Sequence, residues 1–217
     1  MTDLAYDLSL YRDRFAAGAT GSPGYDTAVT LIYVVEGSVQ ADGATLAAGA
    51  GARIQYPASA QLSGDVTELV RWEITPAGGA AKLATNADDS RLLLSKPITL
   101  PGASFGLRMD TFTFPPSTRA YRHIHAAAGI RYLLKGSLEI NSTHGIDLML
   151  AGRPWFEGID DPVLAIADSE VESQFARVLV LPEEYLGKLT ITYIDPADDD
   201  KPREQINKRL VDEAAAV

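Results

Sequence analysis

A repeat within the chain constrains its architecture before any single residue does. Leu-Ile-Tyr-Val-Val-Glu-Gly-Ser-Val at 31–39 matches Ile-Arg-Tyr-Leu-Leu-Lys-Gly-Ser-Leu at 130–138, with Tyr33/Tyr132, Gly37/Gly136 and Ser38/Ser137 identical at an offset of 99. The similarity continues beyond the match. A turn follows in each copy (Ala41-Asp42-Gly43; Asn141-Ser142-Thr143-His144-Gly145), then an apolar strand, then Gly51 or Gly152. The hairpin of the second copy reads as about two residues longer. Two copies of about 100 residues account for the 217-residue chain, and each is large enough to bury a core of its own.

Both copies read as short strands rich in Val, Ile, Leu, Thr and Tyr, punctuated by Gly, Pro, Asn and Asp; examples are 29–35, 66–74, 106–114, 130–135 and 174–181. Such spacing, with few helical windows, predicts an all-β sandwich or barrel in each half. The Pro-, Gly- and Ala-rich stretch from Thr75 to Ser90 reads as the connection between them. The expected domains are 1–95, 96–195 and a terminal element, 196–217. That last element is expected to be an α-helix. Asp198-Asp199-Asp200 offers a cap and negative charge, Pro202 suits a first turn, and 203–215 holds good helix formers with Ile206, Leu210 and Val211 as an apolar stripe.

Composition narrows the partners. Nineteen Lys+Arg against 29 Asp+Glu give a net charge of −10, which repels nucleic-acid backbones and anionic lipid surfaces. Without cysteine there is no disulfide, thiolate nucleophile or Cys-ligated metal. The acidic start, Met-Thr-Asp-Leu-Ala-Tyr-Asp, is unlike a signal peptide, and no apolar run approaches the roughly 18 residues of a membrane span. The expectation is a cytoplasmic protein with a small-molecule ligand, no nucleic-acid or membrane partner, and a homodimeric state.

His123-Ile124-His125 is the sharpest chemical signal in a chain with three histidines. On a strand, residues i and i+2 face one side about 6.6 Å apart, so two imidazoles can converge on one ion. Two neutral histidines lining a polar cavity would leave the same sequence.

The run from His123 to Gly136 resembles the first motif of the cupin superfamily: His-x-His, three or four residues, Glu, six residues, Gly. Gly152 falls where the second motif would open, fifteen residues on, and Gly51 and Pro57 repeat that pattern in the first copy. The resemblance implies a bicupin: two double-stranded β-helix (jelly-roll) barrels in tandem, each around a central pocket. It departs from the pattern at two ligands, because the family's Glu falls on Gly129 and its second-motif His falls near Val163. In the first copy Gly24 and Asp26 stand at the histidine positions, so that barrel is expected to hold no metal and to be structural or dimerising.

Strand alternation from position 129 points Arg131 and Leu133 inward, and places Tyr121 on the His123 side. A buried Arg131 needs an anion, from Glu157, Asp160 or Asp161 or from a substrate. Trp155 belongs to the same region, and His144 is expected to be exposed at a hairpin tip. Two functional readings follow. In one, His123 and His125 hold Fe, Mn, Ni or Zn, weakly enough that purified protein is largely apo. Arg131 orients a sugar-acid-like or aromatic-acid-like substrate, and Tyr121 or Glu157 moves protons. The resemblance then implies oxygenase, isomerase or lyase chemistry without choosing among them. In the other, the same pocket binds a small acid without metal or catalysis, or the barrels serve regulation and assembly.

Overall fold

The computed structural model describes residues 5–16, 20–21, 29–41, 43–54, 60–78 and 89–217. Positions 24, 26 and 57 of the first copy, on which its motif comparison rests, lie outside the described residues. The chain divides into two compact units, 1–103 with 215–217 and 104–214.

The first unit is one antiparallel sheet. Its strands are β1 (Ala5–Ala16), β2 (Thr20–Gly21), β3 (Val29–Ala41), β4 (Ala44–Ala47), β5 (Gly51–Ile54), β6 (Ala60–Pro76) and β7 (Asp89–Thr99). The order is β4-β3-β6-β1-β7, with β2 on β6 and β5 on β3. Phe15, Ile32, Val34, Val39, Ile54 and Leu69 form an apolar cluster on it.

The second unit is a sandwich of two five-stranded sheets. One has the order β13-β10-β15-β8-β17 and the other β12-β11-β14-β9-β16. Their ranges are β8 (Ser104–Phe114), β9 (Arg119–His125), β10 (Ala128–Lys135), β11 (Ser137–Ser142), β12 (Gly145–Leu150), β13 (Pro154–Glu157), β14 (Val163–Ala167), β15 (Ser173–Leu181), β16 (Ile191–Tyr193) and β17 (Ile206–Ala216). Period-2 burial turns one side of each strand inward: Val163, Ala165 and Ala167 from β14, Leu138 and Ile140 from β11. They meet Phe114, Leu133, Trp155 and Phe175 of the facing sheet in one core. The fold is all-β, as the strand spacing predicts. Among the described residues, no helix is long and apolar enough to cross a membrane.

The repeat is physical as well as textual. Gly37 and Gly136 both have positive φ (78° and 75°), where a Cβ is strained. In each copy a later glycine donates its N–H back to the strand: Gly49 to Val34 O at 2.9 Å, Gly152 to Leu133 O at 2.8 Å. Both have positive φ, 83° and 88°. The structural counterpart of Gly152 is therefore Gly49, not Gly51. The second hairpin is four residues longer, since 152 − 49 = 103 against the 99 of the strand before it.

The C-terminal helix is corrected. Pro196–Asp198 is a single 3₁₀ turn capped by Asp195, and 206–216 is β17, an edge strand beside β8. The helix formers of this segment weigh a few tenths of a kcal/mol each. Leaving the N–H and C=O groups of β8 without a strand partner costs more.

Candidate functional site

The space between the two sheets of the second unit is a cavity of about 170 Å³. Its walls include Phe112, Phe114, Trp155 and Phe175 from one sheet and Ile140, Val163 and Ala165 from the other. Into this apolar box project His123 and His125 from β9, Arg131 from β10 and Glu157 from β13. All four are buried.

The imidazoles converge as strand geometry predicts. His123 Nε2 and His125 Nε2 lie 3.2 Å apart, their rings nearly perpendicular. His123 Nδ1 donates to the Tyr121 carbonyl oxygen at 2.6 Å, which fixes its tautomer and leaves the Nε2 lone pair facing the cavity. His125 Nε2 also lies 3.1 Å from Glu157 Oε2. Its own Nδ1 is buried without a hydrogen-bond partner. Burial pushes the pKa of His125 down to about 3, against an opposing pull from Glu157, and lowers that of His123. Both rings are neutral at physiological pH.

Glu157 is the carboxylate of the site. Its strand position is directly opposite Gly129 in the β10–β13 ladder. A carboxylate thus stands across the ladder from position 129. Trp155 Nε1 donates to Oε1 at 2.7 Å, and Arg131 Nη2 approaches Oε2 at 2.6 Å. Burial works to raise the Glu157 pKa, but Arg131 and the His125 contact outweigh it and hold the carboxyl below its usual range. Arg131 also donates to Gly129 O at 2.8 Å; burial lowers its pKa to about 10, so it keeps its charge at neutral pH. Burial thus costs the guanidinium more than Glu157 returns, yet both partners are charged and the ion pair stands.

The expected residues do not all meet. Tyr121 is the exception. The β9–β14 register runs from Val163↔His123 to Ala165↔Ala120, so a bulge interrupts the alternation between them. Ala120, not Tyr121, lines the cavity, and the Tyr121 ring lies under Lys201 Nζ at 4.6 Å. Asp161 binds Thr143 Oγ1 at 2.7 Å at the β11–β12 hairpin, and neither it nor Asp160 reaches the cavity. His144 is exposed, 3.6 Å from Asp161.

Three groups went unread in the sequence. Arg177 forms two hydrogen bonds to Asp110 (2.7 and 3.1 Å) with its guanidinium 4.5 Å over the Phe112 ring. Tyr193, opposite His123 in the β9–β16 ladder, sets its ring 6.4 Å from that imidazole. Arg203 lies 5.4 Å over the Tyr193 ring. Alternation on β8 and β15 puts 110 and 177 inward once the register is known. Nothing in the sequence marks Tyr193, and Arg203 falls in the segment 196–217 that reads as helix.

Whether a metal suits these residues is decided by spacing and by the outer nitrogens. Two donors on one ion at about 2.0–2.1 Å are about 2.8–3.4 Å apart, and the two Nε2 atoms meet that condition. His123 has the outer-nitrogen partner that metal-bound histidines have; His125 lacks one. Among the described residues no group of three or more His, Asp or Glu has the arrangement of a metal site. The carboxylate is committed to Arg131. By spacing the pair fits as two donors once His125 carries its proton on Nδ1, since the neighbours of its Nε2, the Glu157 carboxylate and the His123 Nε2 lone pair, are both acceptors; the remaining positions are left to water or ligand oxygen.

No protein-family model and no curated protein matches the sequence. Solved structures match the fold. A salicylate 1,2-dioxygenase from Pseudaminobacter salicylatoxidans superposes with TM-score 0.56 at 10% identity, covering 85% of this chain and 74% of that one. YlbA from E. coli gives 0.53 at 15%, covering 80% and 76%. A glyoxylate-induced protein from Pseudomonas aeruginosa, so described provisionally, gives 0.55 at 14%, covering 80% and 74%. These are cupin-type jelly rolls, and at such identities the likeness is one of fold.

Proposed function

We propose that the chain is a bicupin whose second barrel binds a small organic acid, with a divalent Fe, Mn, Ni or Zn ion held by His123 and His125. One observation carries the reading: two neutral imidazoles bring their Nε2 atoms 3.2 Å apart inside a cavity whose walls combine aromatic and aliphatic side chains with arginines and carboxylates. An ion bound there supplies Lewis acidity toward a ligand oxygen. The chain's own contribution is to keep both rings unprotonated by burial, to orient His123 through the Tyr121 carbonyl, and to exclude water with Phe112, Phe175 and Trp155. Glu157, held by Trp155 and Arg131, is a fixed acceptor beside His125 and takes a hydrogen bond from that ring when its proton is on Nε2. Support for an acidic, ring-bearing ligand comes from the arginines and aromatics of the walls. A gentisate complex is known for a salicylate 1,2-dioxygenase of this fold.

A second reading, acid binding without metal, is favoured by the Arg131–Glu157 ion pair and by the unpartnered His125 Nδ1. Titration with Fe²⁺, Mn²⁺, Ni²⁺ and Zn²⁺ of protein purified without chelator separates the two. At least one metal is expected to bind wild type tenfold or more tightly than His123→Ala/His125→Ala, with circular dichroism showing both folded. Equal binding overturns the metal reading. Undiminished salicylate binding after chelation would then establish the metal-free one.

A further inference from the structure

Resting on the acid-binding reading above, we propose that Arg203, braced on Tyr193 at the open side of the cavity, is the group that binds the ligand's anionic substituent. Arg131, the clamp expected from the sequence, is already committed to Glu157.

The guanidiniums around the cavity are Arg108, Arg131, Arg177, Arg203 and Arg209. Four of them are engaged within the protein. Arg108 donates to Asp212 Oδ1 at 2.9 Å and to the Lys188 and Tyr185 carbonyls at 2.9 and 2.7 Å. Arg131 holds Glu157, Arg177 holds Asp110, and Arg209 holds Asp212 Oδ2 at 2.9 Å. Arg203 has no carboxylate partner among the described residues; its recorded contact is the Tyr193 ring. A guanidinium stacked on an aromatic face keeps its N–H fork free in the ring plane and loses less side-chain freedom on binding a carboxylate.

Size and direction agree with this placement. A cavity of about 150 Å³ holds benzene, so the 170 Å³ here admits one six-membered ring and little more. A carboxylate on that ring cannot also be buried among the satisfied arginines of the floor, and projects to the open side. That side is marked by the exposed lining residues Leu189, Arg203, Asn207 and Arg209, the last of which is held by Asp212. Tyr193 bridges the two ends, with the His123 ring at its edge and Arg203 over its face. The ligand class is therefore a single-ring carboxylate, its ring against Phe112 and Phe175 and its anionic group at Arg203.

The test compares benzoate and salicylate with neutral benzamide by calorimetry and by Trp155 fluorescence, in wild type, Arg203→Ala and Arg203→Lys. Arg203 is exposed, so its replacement leaves the core intact. Arg203→Ala is expected to weaken both acids tenfold or more and benzamide less than twofold, with Arg203→Lys recovering part of the loss. If the acids and benzamide keep their ratio in Arg203→Ala, the assignment of Arg203 is overturned while acid binding stands. If wild type binds none of the three, the acid-binding reading is overturned and the assignment with it.

Discussion

A Cβ at position 129 would stand 2.2 Å from the Val178 carbonyl oxygen and 2.6 Å from Leu179 Cδ2. The nearest of these is backbone, which cannot rotate away, so Gly129→Ala should cost at least about 1–3 kcal/mol, read as a lower urea midpoint. An unchanged midpoint would mean that β10 and β15 lie farther apart than described. The same crowding keeps any carboxylate out of position 129, and opposite that position stands Glu157. Removing it strands the Arg131 guanidinium, which is 1% exposed. Glu157→Ala should therefore lose about 3–5 kcal/mol, whereas Arg131→Met/Glu157→Leu should lose much less, because replacing both partners leaves no uncompensated charge. Equal losses would show that the pair is not coupled.

The first unit has its own buried charges. Arg71 donates to Asp13 at 2.6 and 3.1 Å and to Glu73, and all three are fully buried. Burial raises the Glu73 pKa despite Arg71. An acid whose folded pKa is raised costs nothing below its unfolded value near 4.5 and progressively destabilises as pH climbs through the folded value. Glu73→Gln should therefore gain stability over wild type as pH rises from about 4.5 to 7, measured by thermal unfolding across that range. A constant difference between the two proteins would contradict the shift.

Elements decide what was legible in advance. The strands around Tyr33 and Tyr132 could be read because alternation and glycine punctuation are local. The convergence of His123 and His125 could be read because i and i+2 share a face. Arg131 also follows from alternation, whereas Glu157 reads only as one of three acids, with Asp160 and Asp161, until the β10–β13 register sets it opposite Gly129. Tyr121 could not be placed, since a bulge in β9 adds a residue without leaving a composition signal. The terminal segment misleads for a different reason: its Ala, Glu, Lys and Arg favour a helix in isolation, and only the unpaired edge of β8 makes it a strand. Asp212 on that strand meets Arg108 Nε at 2.9 Å and the Gly187 N–H at 2.8 Å. Asp212→Ala should accordingly cost about 1–3 kcal/mol and speed amide exchange in β17 before β10. Exchange in 206–214 as fast as in an unstructured peptide would refute the strand.

At the scale of the molecule, a chain of net charge −10 concentrates five arginines around one cavity and pairs four of them with carboxylates, leaving Arg203 without one among the described residues. The two units share a repeat, but the histidines, Glu157 and Arg203 all lie in 104–214. Ligand or metal binding is thus expected to slow amide exchange within that unit, β9, β10 and β13 most of all. The claim on which the functional reading turns is that His123 and His125 share one ion. Anomalous difference density from crystals grown with Zn²⁺ addresses it directly. A single strong peak about 2.0–2.1 Å from both Nε2 atoms is predicted; zinc bound only at surface sites such as His144, with the space between the two rings empty, would contradict it.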